Sequence, residues 1–147
     1  MKELKLSDYR ADVDKLIVYI PWLESKVGNT VSHIYNDNDL SSSTVTFPVY
    51  DSTLLSFVNE ASKTGLMDTN YMYAYSEYSL RDHDDERRAI SEATVKDGAL
   101  LSGILSKYVL GGMTRGTVWT EAVKEGIFLE VLKKMKQLLE IWDKPLA

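Results

Sequence analysis

"NYMYAYSEYS", Asn70 to Ser79, is the stretch whose reading decides the fold. Tyr71, Tyr73 and Tyr75 recur at a period of two, which suits a strand with one aromatic face. Tyr71, Tyr75 and Tyr78 also fall at helical spacing, which suits a short helix. The first reading makes a third strand; the second removes it. The two remain open at the level of sequence.

Upstream, Ser7 is placed to cap a helix carrying Val13, Leu16, Ile17, Ile20 and Leu23 on one face. Pro21 lacks an amide hydrogen and clashes one turn back, so that helix is expected to end or kink near Ile20. "NTVSHIY" (29–35) and "STVTFPVY" (43–50) are rich in β-branched and aromatic residues, with turn formers between them. They are expected to form a hairpin. Asp51 or Ser52 then caps a helix with Leu54, Leu55, Phe57, Val58 and Ala61 as its apolar positions, closed by Gly65.

Downstream, Arg81 to Lys96 has weak periodicity and is expected to be mostly loop, with one helical turn near "ERRAI". Asp97 is placed to cap "GALLSGILSKYVL", with Leu101, Ile104, Leu105 and Tyr108 on one face and Gly111–Gly112 at its end. Thr117 caps a short helix ended by Gly126. The last helix, "IFLEVLKKMKQLLEIW", carries Phe128, Val131, Leu132, Met135, Leu138, Leu139 and Trp142 as its stripe. The expectation is one α+β domain over residues 1–147. It is mostly helical, with a small antiparallel hairpin or three-stranded sheet and a C-terminal unit of three helices. An essentially all-α domain with a marginal hairpin is the alternative.

Composition bounds the function. The chain has 147 residues, enough for an ordinary core without staples. It has no cysteine, which excludes disulfides, thiolate catalysis and thiolate metal sites and fits a reducing compartment. The start, "MKELKLSDYRADVDK", lacks the apolar stretch of a signal peptide. A cytoplasmic location is expected. Net charge is −5, and residues 51–100 hold 10 Asp/Glu against 5 Lys/Arg. Duplex nucleic acid needs a concentrated basic face and anionic membrane an attracting one, so neither is an expected partner.

"VLGGMTRGTVW" (109–119) holds Gly111 and Gly116 at the spacing of a phosphate-binding loop. The lysine such a loop needs is missing, because Thr117 directly follows Gly116, and a helix rather than a strand precedes it. A helix-turn-helix reading fails on the long turn and on Glu121 and Glu125 in the short helix. What survives is a candidate anion-binding site at Arg115, Gly116, Thr117 and Trp119, where amides opening a helix favour negative charge. The plainer reading is a bend between two packed helices.

"RDHDDERR" (81–88) is the densest group of potential ligands. His83 and Glu86 would share a face if the segment were helical, but a contiguous hydrophilic run is read as a solvated loop. It has neither the acid spacing nor the glycine of a calcium loop. No serine elbow accompanies His33 or His83. No catalytic residue, metal site or cofactor is therefore assigned.

"FPVYDSTLLSFVNEASKTGLMD" (47–68) and "LLSGILSKYVLGGMTRGTVWTEAVKEGIFLEVLKKMK" (100–136) together resemble a family of short bacterial proteins known as a domain of unknown function. The resemblance spans roughly residues 45–136. It rests on Pro48 and Tyr50, Gly65 and Leu66, Arg115 and Gly116, and Gly126 and Ile127. Gly111 and Gly112 stand where members often carry an arginine. The resemblance implies no activity. The function expected is a non-catalytic interaction or regulatory domain that binds a protein partner or self-associates as a homodimer. The alternative is a small-molecule or anion-binding protein, or an enzyme, built around Arg115–Trp119.

Overall fold

The computed structural model describes residues 6–28, 32–36, 46–50, 52–115 and 117–143. A 3-10 turn, Leu6–Tyr9, leads into α1 (Arg10–Ile17), and α2 (Ile20–Lys26) follows with Pro21 in its first turn. Proline is tolerated there because the first amides of a helix have no partner to lose. Ser7 thus lies inside the 3-10 turn, and Tyr9 occupies the cap of α1 without a side-chain bond.

β1 (Ser32–Asn36) pairs antiparallel with β2 (Thr46–Tyr50), Ser32 opposite Tyr50 and Asn36 opposite Thr46. The remainder is helical: α3 (Ser52–Ser62), α4 (Tyr71–Glu77), α5 (His83–Glu92), α6 (Gly98–Gly111), α7 (Thr117–Lys124) and α8 (Ile127–Asp143). The expectation of an α+β domain is corrected to a helical one. Among the described residues, strand pairing stays within that single two-stranded ribbon, and helices make up most of the rest. No third strand exists among the described residues, because Tyr71–Glu77 is α4.

The burial pattern of α4 settles the two readings of its sequence. Ala74 and Tyr75 are buried and Tyr71 and Tyr78 half-buried, while Met72, Tyr73, Ser76 and Glu77 face solvent. That is a 3.6-residue period. The inward face closes on α6, where a Cβ on Gly103 would stand 2.9 Å from Ala74 Cβ. Two helices approach this closely only where both present small residues.

α6 and α8 are the structural centre. α6 packs against α3, α4, α7 and α8, and α8 against α1, α2, α5, α6 and α7. α6 is buried almost all round, including Ser102 and Ser106. Those hydroxyls are spent on the turn after α3: Ser102 Oγ donates to the Leu66 carbonyl, and Ser106 Oγ accepts from Asp68 N at 2.8 Å. Asp97 does not cap α6 through its side chain. It closes a capping box with Thr94 one turn earlier and accepts from the Tyr78 hydroxyl at 3.0 Å. Leu55, grouped by spacing with the core of α3, is 42% exposed. The side chain of Trp142 lies outside the described residues.

The two described glycines of 109–119 differ in what surrounds them. A Cβ on Gly111 would meet only Val118 Cγ1, at 3.7 Å, whereas one on Gly112 would fall 2.0 Å from Trp119 Nε1. The indole packs directly against Gly112 and donates to the Val109 carbonyl at 2.9 Å. Gly126, with φ of +75°, supplies the left-handed turn between α7 and α8. Gly111→Ala should be neutral or stabilising by up to about 1 kcal/mol, from the gain in helix propensity. Gly112→Ala should cost roughly 1–3 kcal/mol by displacing the indole. Denaturant unfolding of the two variants measures the contrast.

Candidate functional site

The run Asp82–Glu86 is helical, and one of its acids is in the core. Asp82 caps α5, its carboxylate accepting from Asp85 N at 2.8 Å. Asp84, Asp85 and Glu86 fill the first turn, where carboxylates favour the positive end of the helix. Ile90 and Glu86, four residues apart, then face inward together. The reading of this segment as a solvated loop is corrected for Glu86, which is 1% exposed.

Three helices supply what a buried carboxylate needs. From α4, the Tyr75 hydroxyl donates to Glu86 Oε2. From α6, the Tyr108 hydroxyl lies 2.6 Å from Oε1 and 2.9 Å from Oε2. From α5 itself, His83 Nδ1 stands 2.9 Å from Oε1. Lys107 Nζ, also from α6, is 3.8 Å from Oε2, over the rings of Tyr75 and Tyr108 at 4.5 and 5.1 Å. The other side of the histidine reaches α7, with Nε2 2.7 Å from Glu121 Oε1.

Titration behaviour follows from this geometry. Burial, and then the charge of Glu86 and the bond to it, push the Tyr75 and Tyr108 hydroxyls far above the ordinary tyrosine value, so both stay donors. Burial works to lower His83, but its bonds to Glu86 and Glu121 outweigh that and hold it above the ordinary histidine value. Nearby, burial and the bond to Asp97 push Tyr78 up to about 12. At Asp97, burial acts to raise the carboxyl. The Thr94 backbone amide, the Tyr78 hydroxyl and the Thr94 hydroxyl outweigh it and hold Asp97 below the usual carboxylate range.

The arrangement is built for holding charge rather than for reaching a substrate. Glu86 is closed off from solvent, and both its oxygens are occupied. Glu86 and Glu121 sit on opposite nitrogens of one imidazole, so they do not converge on a single ion. Among the described residues no three His, Asp or Glu are placed to hold a metal. Two shallow clefts flank the cluster. One, of about 340 Å³, runs along α5 and is lined by Tyr78, Arg81, Arg88, Glu92 and Asp97 among others. The second, of about 460 Å³, lies beside α4 and is lined by Met72, Tyr75, Ser76, Ser79, Leu80 and Arg81.

The segment singled out in the sequence lies apart from both clefts. Arg115 and Thr117 are exposed, Trp119 is buried with its N–H committed to Val109, and Gly116 lies outside the described residues. Thr117 is the first residue of α7 rather than its cap, and its carbonyl accepts from the Thr120 hydroxyl at 2.9 Å. Glu121 is tied to His83.

Of the cluster, the His83–Glu86 spacing and the acidic first turn behind an aspartate are visible in the sequence. Tyr75, Lys107, Tyr108 and Glu121 are not, because they come from three other helices. Compared with protein-family models, curated proteins and solved structures, the chain matches none. No helix among the described residues is long and apolar enough to cross a membrane.

Removing one partner of a buried ion pair leaves the other charge unpaired at roughly 3–5 kcal/mol, and a hydrogen bond to a charged group contributes about 1.5–3 kcal/mol. Glu86→Ala should fall in the first range and Tyr108→Phe in the second, both measured by denaturant unfolding. A Tyr108→Phe variant as stable as the parent would show that the hydroxyl contributes nothing net.

Proposed function

We propose that this chain is a non-catalytic protein-interaction domain of the bacterial cytoplasm, and that the outer face of α4 is its contact surface. The observation that carries the reading is the exposure of Met72 and Tyr73, 61% and 57%, side by side on one short helix. They stand next to the cleft that Leu80 and Arg81 complete. Methionine, tyrosine and arginine are the residue types enriched where proteins meet. Tyrosine there buries a large rigid ring while its hydroxyl keeps a partner.

The surface is held firmly from behind. Ala74 closes on Gly103, and Tyr75 is bonded to Glu86. A face fixed before the partner arrives spends less of its binding energy on ordering side chains. The partner is either another protein or a second copy of this chain.

A photo-crosslinking amino acid in place of Tyr73 tests this in cells, with the same group at Lys63, an exposed position on the turn after α3, as the control. A discrete adduct from position 73 and none from position 63 is the expected result. No adduct at position 73, or the same one from both positions, overturns the proposal. The contact residues themselves should be dispensable for folding: Met72→Ser with Tyr73→Ser should change stability by no more than about 0.5 kcal/mol per site.

A further inference from the structure

We propose that His83 is a proton-operated latch between α5 and α7, closed while the ring carries both protons and released when it loses one. The geometry requires both protons. Nδ1 faces Glu86 Oε1 at 2.9 Å, and Nε2 faces Glu121 Oε1 at 2.7 Å. A neutral imidazole has one N–H, so it satisfies one carboxylate and turns a lone pair on the other. The Tyr108 oxygen, 3.1 Å from Nδ1, adds to this. Its proton is directed at Glu86, so it too is best placed to accept from an N–H.

The groups around the ring decide which contact gives way. His83 stacks on Tyr108 of α6, with centroids 6.3 Å apart. Glu86, Tyr75 and Lys107 complete the buried side. Glu86 cannot leave, since two phenol hydroxyls and the lysine hold it. Glu121 is 54% exposed at its side chain and can turn into water. Loss of the proton therefore keeps the Glu86 bond and gives up the one to Glu121.

A second tether between the same helices does not titrate with the ring. Arg87 Nη2 donates to the Glu125 carbonyl at 3.0 Å, lies 3.5 Å from the Glu125 carboxylate, and its other arm reaches Asp84. It holds the C-terminal end of α7. Deprotonation then loosens the α5-facing side of α7 at Glu121, while its far end stays tied to Arg87 and its inward face stays on α6 through Trp119.

The sign follows from linkage. A histidine raised above its unfolded value adds stability that is fully present below that unfolded value. The stability is lost as pH rises through the folded value. The latch is closed on the acid side and open on the alkaline side, with the change falling above the ordinary histidine range.

Hydrogen exchange of amides 117–124, run beside an NMR titration of the His83 ring, tests the latch. In the parent protein, protection of α7 should fall by about tenfold across the ring's titration, once the intrinsic pH dependence of exchange is allowed for; the loss of one charge-assisted bond is of that order. In E121Q the amide can accept from the protonated ring or donate to the neutral one. Its α7 protection should therefore stay level over the same range. The side chain is half in water, so this variant should fold. Unchanged α7 protection in the parent, a ring that does not titrate while the protein is folded, or an E121Q profile that falls as the parent's does would each overturn the latch.

Discussion

The Glu86 carboxylate sits in the core, and the arrangement of the three helices around it follows from the need to satisfy it there. An ion taken out of water loses a hydration free energy that only well-placed donors and a counter-charge can offset. Here the donors are Tyr75, Tyr108 and His83, and the counter-charges are His83 and Lys107. They arrive from α4, α6 and α5, and His83 extends the network to α7. Apolar contacts between these helices would tolerate small slides. A carboxylate bonded on both oxygens does not, because a displacement of an ångström strands a charge. The cluster thus specifies how the helices sit, whatever its net contribution to stability.

The second constraint is steric and belongs to α6. A helix buried almost all round has to accept a neighbour on nearly every side. Gly103 lets α4 in, Gly112 lets the Trp119 indole in from α7, and Ser102 and Ser106 hold the turn before α4. The adjacent glycines Gly111 and Gly112 of "VLGGMTRGTVW" have a definite purpose. Gly111 ends a helix, and Gly112 is the floor on which Trp119 lies.

These two constraints connect to function through what they leave outside. With Ala74 and Tyr75 turned inward, Met72 and Tyr73 have nowhere to go but water. The same rigid helix that closes the core therefore presents an apolar and aromatic face. On the other side of the cluster, His83 and Glu121 form a rim open to solvent, where protonation can be exchanged without unfolding the molecule.

The sequence by itself determined the strongly patterned helices. The stripe of Phe128, Val131, Leu132, Met135, Leu138 and Leu139, the run from Gly98 to Gly111, the break just ahead of Pro21 and the turn at Gly126 all follow from local rules of periodicity and backbone freedom. Tertiary structure alone decided the rest. "NYMYAYSEYS" fits a strand and a helix equally well as a pattern, and Gly103 on α6 resolves it by admitting a helix face that carries Ala74. "DHDDE" is hydrophilic at every position, so no pattern of hydrophobicity places Glu86 inside. It is buried because Tyr75, Lys107 and Tyr108, from 11 to 22 residues away, converge on it. Periodicity reports which face of an element turns inward, whereas the meeting of polar groups from separate elements exists only once those elements have packed.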